Sequence, residues 1–114
     1  MKNIYLGKEG EEKAVEFLKK NGYRIIERNF RTKIGEIDII ARRKKEIVFI
    51  EVKTRSSDNF GLPEEAVGEK KLKKIEKVAL MYLNSRKIDL PFTFEVLSVL
   101  NEGKNFKFEI IPVI

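Results

Sequence analysis

Three observations predict a single α/β domain over residues 1–114, with helices packed on one mixed β-sheet. The chain has 114 residues, enough for one hydrophobic core and no second one. Two stretches repeat apolar residues at helical spacing, and five short runs are rich in Ile, Val and Phe between turn signals. Their order is helix, three strands, helix, two strands.

The first helix is predicted over residues 8–20. Ala14, Val15 and Leu18 form one stripe, Lys and Glu fill the rest, and Asn21-Gly22 supplies the stop. Tyr23 to Phe30 reads as a strand, followed by strands over 34–42 and 46–54. Arg43-Lys44-Lys45-Glu46 is the short polar turn between the last two. Residues 55–68 read as a loop carrying Ser56-Ser57-Asp58-Asn59, Gly61, Pro63 and Gly68. The second helix covers 69–86, with Leu72, Ile75, Ala79 and Leu83 at helical spacing and lysines at 70, 71, 73, 74 and 77. Strands over 92–100 and 104–112 flank the turn Asn101-Glu102-Gly103-Lys104.

Composition narrows the chemistry. Cysteine and histidine are both absent, which excludes disulfides, a thiol nucleophile, a Cys/His zinc site and an imidazole base. Catalysis would have to run on carboxylates, lysines, hydroxyls and a hard, oxygen-liking metal. The net charge of +6 suits a polyanionic partner, and a nucleic acid is the expected one. The competing reading of that charge is plain solubility. No apolar run reaches the roughly 18 residues of a membrane span, and Glu9 interrupts any leader-like segment, so a cytoplasmic protein with no membrane contact is expected.

Strand alternation then places the acids. In the second strand Ile37, Ile39 and Ala41 should point one way, with Glu36, Asp38 and Ile40 opposite. In the third, Val48, Ile50 and Val52 share one face, and Ile47, Phe49, Glu51 and Lys53 the other. An even hairpin with Arg43 opposite Glu46 sets Ile39 against Ile50, Ile37 against Val52, Asp38 against Glu51 and Glu36 against Lys53. A one-residue slip would put Asp38 in an apolar row, so the pattern and the polar cluster require the same register. Two carboxylates about 5 Å apart repel unless a cation or proton lies between them. With oxygen ligands only, Mg²⁺ or Mn²⁺ is the expected ion. Lys53 is placed to orient a water or hold a phosphate oxygen. The rival reading is a surface ladder in which Lys53 and Lys45 neutralise the acids. Glu11 heads the buried stripe of the first helix; it serves either as a third site carboxylate or as a partner of the helix dipole.

These residues also carry a resemblance. Gly7, Gly10-Glu11, Ala14, Asn29-Phe30-Arg31, Gly35-Glu36-Ile37-Asp38-Ile39-Ile40 and Phe49-Ile50-Glu51-Val52-Lys53-Thr54-Arg55 resemble the YraN-like family of small uncharacterised bacterial proteins. Glu65-Ala66-Val67, Lys71, Ala79 and Tyr82-Leu83 extend the match, which spans roughly residues 7 to 100. That family is similar to the Holliday-junction-resolvase branch of the PD-(D/E)XK nucleases. The resemblance implies a sheet of the restriction-endonuclease-like type, Asp38 and Glu51 as metal ligands, Lys53 as the catalytic lysine and Glu11 as the helix carboxylate. It departs at Thr93-Phe94-Glu95, where the family usually has Arg-Phe-Asp, which weakens any role for Glu95 and leaves the central trio untouched; the role of Glu36 stays open.

The expected activity is Mg²⁺- or Mn²⁺-dependent hydrolysis of phosphodiester bonds in DNA, including branched or junction DNA. Arg31, Lys33, Arg55 and Lys71 are the expected phosphate contacts, which position a polynucleotide without reading its bases. A homodimer is compatible with this reading. The alternatives are a nucleic-acid-binding module on the same fold that does not cut, and an adaptor protein whose basic surface serves solubility.

Overall fold

The computed structural model describes the backbone of residues 4–56 and 68–113, with side chains from residue 8 onward. In chain order the elements are α1 (Ile4–Lys20), β1 (Arg24–Arg31), β2 (Glu36–Arg43), β3 (Glu46–Ser56), α2 (Glu69–Arg86), β4 (Phe92–Glu102) and β5 (Asn105–Pro112). The predicted order of elements is therefore the observed one. The first helix begins a turn earlier than the apolar stripe indicated, and β3 and β4 each run two residues longer. Of the predicted 55–68 loop, residues 57–67 lie outside the described residues, and the Glu65-Ala66-Val67 segment with them.

The strands form one five-stranded mixed sheet in the order β1-β2-β3-β4-β5. β3 and β4 run parallel, with α2 as the crossover between them, and the other neighbours are antiparallel. Each helix covers one face. On the α1 side Ala14, Val15 and Leu18 pack with Tyr23, Ile39, Ala41, Val48, Ile50, Leu97 and Val99. On the α2 side Ile75, Val78, Ala79, Tyr82 and Leu83 pack with Ile37, Ile40, Ile47, Phe49 and Phe94. Gly22, at φ 88°, ends α1 where Asn21-Gly22 predicts, and Tyr23 N–H returns to the Leu18 carbonyl at 3.0 Å.

The β2–β3 register is the expected one from Arg43↔Glu46 to Ile39↔Ile50, and there it stops. The anticipated pairs Asp38–Glu51, Ile37–Val52 and Glu36–Lys53 are not part of the ladder. Ile37 belongs to the α2-side core with Ile40, whereas Val52 packs on the α1 side. Strict alternation, which grouped Ile37 with Ile39, is thus broken at Asp38. The neighbouring strand breaks at the same rung. Arg28 pairs with Ile39 and Phe30 with Ile37, while Asn29 between them sits in the left-handed region at φ 54°. Arg28 reaches α1, yet Phe30 packs on the α2-side core. Both strands exchange faces at the Asn29/Asp38 rung, and a carboxylate stands where regular pairing ends.

Candidate functional site

An open cleft of about 330 Å³ is lined by Glu11, Arg28, Asn29, Asp38, Ile39, Glu51, Val52, Lys53 and Thr54. Four of the residues singled out in the sequence, Glu11, Asp38, Glu51 and Lys53, are brought together on its walls. They arrive from α1, β2 and β3, the last supplying two of them two residues apart.

Asp38 is held by backbone. Beyond Ile50 the Val52 N–H has no β2 carbonyl to bond, and it donates instead to Asp38 Oδ2 at 2.8 Å. Burial, reinforced by the charge of Glu51, pushes the Asp38 carboxyl up to about 6, against the opposing pull of the Val52 N–H. Buried beside a second acid, the carboxyl has its ionised form disfavoured.

Glu51 is nearly enclosed, with its side chain 16% exposed, and accepts a hydrogen bond on Oε2 from Lys71 Nζ of α2 at 2.5 Å. An ammonium already stands against this carboxylate. Lys53, two positions on, is exposed on the same cleft. Among the described residues no three His, Cys, Asp or Glu side chains converge on one point, and within the cleft Asp38 and Glu51 are the two carboxylates on adjoining strands. Two carboxylates, completed by water and phosphate oxygens, are an ordinary donor set for Mg²⁺ or Mn²⁺.

Glu11 stands at the cleft's edge and is half exposed. Its Oε2 lies 3.7 Å from Arg28 Nη2, which bonds Glu12 Oε2 at 3.0 Å. Gly10 explains how α1 comes so near: a Cβ at this position would meet Thr54 Cγ2 at 3.3 Å, tighter than side chains normally pack. The missing side chain lets the helix lie against β3 and sets Glu11 at the cleft mouth.

The expected phosphate contacts are more dispersed. Arg31 is ion-paired with Glu36 across the β1–β2 turn at 2.5 Å, and Lys33 is exposed in that turn. Arg55 lines a neighbouring hollow with Ser98, Lys107 and Glu109, and its Nε is buried with no partner among the described residues. Lys71, on α2, is paired with Glu51. Three polar cleft residues escaped the sequence reading as site members, Arg28, Asn29 and Thr54. The signal for Asn29 was available: asparagine is disfavoured within strands yet tolerates the left-handed region.

Glu95, left without a role by the sequence, is 6% exposed and fully engaged. Tyr23 Oη donates to its Oε1 at 2.7 Å and Arg43 Nη1 to its Oε2 at 2.9 Å. Arg43 Nη1 also donates to Tyr23 Oη, and its Nη2 pairs with Glu46 at 3.1 Å. This network ties β4 to the start of β1 and the end of β2, away from the cleft. Burial, with Glu95 adding to it, pushes the Tyr23 phenol up to about 12, so it stays a donor throughout the stable pH range.

The UPF0102 protein of Persephonella marina is 46% identical over 108 residues, covering 95% of this chain and 82% of its own. That of Thermodesulfovibrio yellowstonii is 50% identical over 99 residues, covering 87% and 88%. Among solved structures, Archaeoglobus fulgidus Hjc, a Holliday junction resolvase from an archaeal hyperthermophile, superposes with a TM-score of 0.51 at 18% identity. The match covers 90% of this chain and 74% of that one, and the likeness is one of fold. The expected resolvase-type fold stands, and so does the resemblance to the YraN-like proteins. No helix among the described residues is long and apolar enough to cross a membrane. The model of the uncharacterised protein family UPF0102 matches residues 10–113, and the chain belongs to that family.

Proposed function

We propose that this protein is a Mg²⁺- or Mn²⁺-dependent endonuclease acting on DNA, branched DNA included. The observation that carries the proposal is the convergence of Asp38, Glu51 and Lys53 on one cleft, at the rung where the sheet opens. Resemblance of fold to a resolvase supports the same reading without establishing an activity.

Asp38 and Glu51 would hold the ion. When bound, a divalent ion lowers the pKa of water and offsets charge on the scissile phosphate. Val52 N–H holds one oxygen of the Asp38 carboxylate, which would leave the other for the ion. Lys53 offers an ammonium to the phosphate oxygens as negative charge develops on them. Glu11 and Arg28 line the cleft, and Lys33 in the β1–β2 turn and Arg55 on β3 are basic groups that would hold flanking phosphates.

The Lys71–Glu51 ion pair favours a second reading, since the protein itself neutralises one of the two acids: a DNA-binding module that does not cut. One experiment separates them. Four-way, nicked, duplex and single-stranded DNA are incubated with the wild type and with Asp38→Asn in Mg²⁺ and in Mn²⁺. Metal-dependent cleavage by the wild type, absent from the variant, is the expected result. Salt-sensitive binding without cleavage of any substrate would select the binding module.

A further inference from the structure

Resting on that metal-site reading, we propose that the Lys71 ammonium is the resident cation of the Asp38–Glu51 site in the absence of metal, and that a divalent ion displaces it toward the polynucleotide backbone. Among the lysines of α2 at 70, 71, 73, 74 and 77, Lys71 alone is ion-paired among the described residues, and its partner is the cleft acid Glu51. Its Nζ lies 2.5 Å from Glu51 Oε2, and its charge also acts on Asp38, opposing the repulsion between the two carboxylates. One positive charge is what that pair lacks when nothing else is bound.

The anchor is unequal at its two ends. Glu51 is nearly buried and fixed in β3, whereas the Lys71 side chain is 47% exposed on α2. A four-carbon stem rooted at the solvent side can leave its carboxylate without disturbing the core. A dication at the same carboxylates repels the ammonium, and a phosphate arriving with that ion gives it a new partner of the right sign. Lys71 therefore acts first as a placeholder that keeps the acids compatible, then as a phosphate contact. As a positioning residue it couples metal binding to polynucleotide binding.

The test is calorimetry of Mn²⁺ binding at pH 8, with wild type, Lys71→Met, Lys71→Arg and, as a surface control, Lys74→Met. Removing a competing unit charge a few ångströms away should tighten Mn²⁺ binding of Lys71→Met about tenfold. Lys71→Arg should bind no tighter than wild type, and Lys74→Met should stay within about twofold. Lys71→Met should also melt lower without metal and recover with Mn²⁺, which shows that it folds. Equal or weaker Mn²⁺ affinity in Lys71→Met, with wild-type binding intact, would overturn the placeholder and leave the metal site standing. No Mn²⁺ binding by either protein would overturn both. Duplex binding in Ca²⁺ checks the second step: Lys71→Met should lose affinity and about one unit of salt slope. Unchanged affinity and slope would remove the phosphate role.

Discussion

Asp38 accepts the Val52 backbone N–H at the rung where β2 and β3 cease to pair, so one carboxylate both closes the opened sheet and faces the cleft. A side chain doing the work of a missing strand carbonyl cannot rotate freely. This fixes the direction of its second oxygen more firmly than rotamer preference alone would.

The raised Asp38 pKa makes metal-free stability depend on pH. Its folded-state value of about 6 lies above the ordinary carboxyl value of 3.8, so the folded state prefers the protonated form. The associated stability is fully present below pH 3.8 and is lost as pH rises through 6. Asp38→Asn keeps an oxygen for Val52 N–H and removes the charge. Without metal it should be more stable than wild type at pH 8, by about 3 kcal/mol at most, taking ~1.4 kcal/mol per pKa unit. The advantage should vanish near pH 4, and saturating Mn²⁺ at pH 8 should reverse it by stabilising only the wild type. Thermal melts at the two pH values, with and without Mn²⁺, measure all of this. A variant less stable than wild type at pH 8 without metal would contradict the electrostatic account.

Lys53 separates catalysis from binding. Lys53→Ala should lower single-turnover cleavage in Mn²⁺ by about 10²-fold, the usual loss when one transition-state contact is removed. Binding of the same branched DNA in Ca²⁺ should change little. Because the side chain is exposed, its melting temperature should move by no more than about 1 kcal/mol implies. Cleavage that persists unchanged in Lys53→Ala would remove it from the reaction.

The Tyr23–Glu95–Arg43 network should matter to folding and leave the cleft alone. Glu95→Ala abandons two donors around a buried acid position and should cost about 3 kcal/mol. Tyr23→Phe deletes two hydrogen bonds, one donated to Glu95 and one accepted from Arg43, and should cost about 2 kcal/mol. Urea melts give these costs, and Mn²⁺ calorimetry on the same variants should return the wild-type affinity. A large loss of metal binding in Tyr23→Phe would mean that the network reaches the cleft.

How far the sequence could be read follows from what pattern encodes. The Arg43–Glu46 turn and the apolar rows fixed the register as far as Ile39 and Ile50, because regular pairing there is local and periodic. Extending that period to Asp38 failed, since alternation assumes an unbroken strand and Asn29 breaks it through a backbone angle. Glu11, Asp38, Glu51 and Lys53 were recognisable as polar residues in apolar settings. The duty of Glu95 was not, because its partners Tyr23 and Arg43 lie 72 and 52 residues away in the chain. Lys71 was singled out as a phosphate contact, but its pairing with Glu51 was not legible, because it depends on how α2 packs on the sheet.

The parallel β3–β4 pairing has a consequence for how the protein is made. Every cleft residue falls between Glu11 and Thr54, so the first half of a growing chain already contains the whole constellation. The strand that bears Glu51 pairs on its other side with β4, starting from Ile47↔Phe92. Until that late partner emerges, β3 is the bare rim of a three-stranded meander, rich in Ile, Val and Phe. Such a rim is the surface on which nascent chains stick to one another. The C-terminal segment is thus the seal on an acidic site assembled before it, and interrupted synthesis would leave that site on an adhesive half-protein.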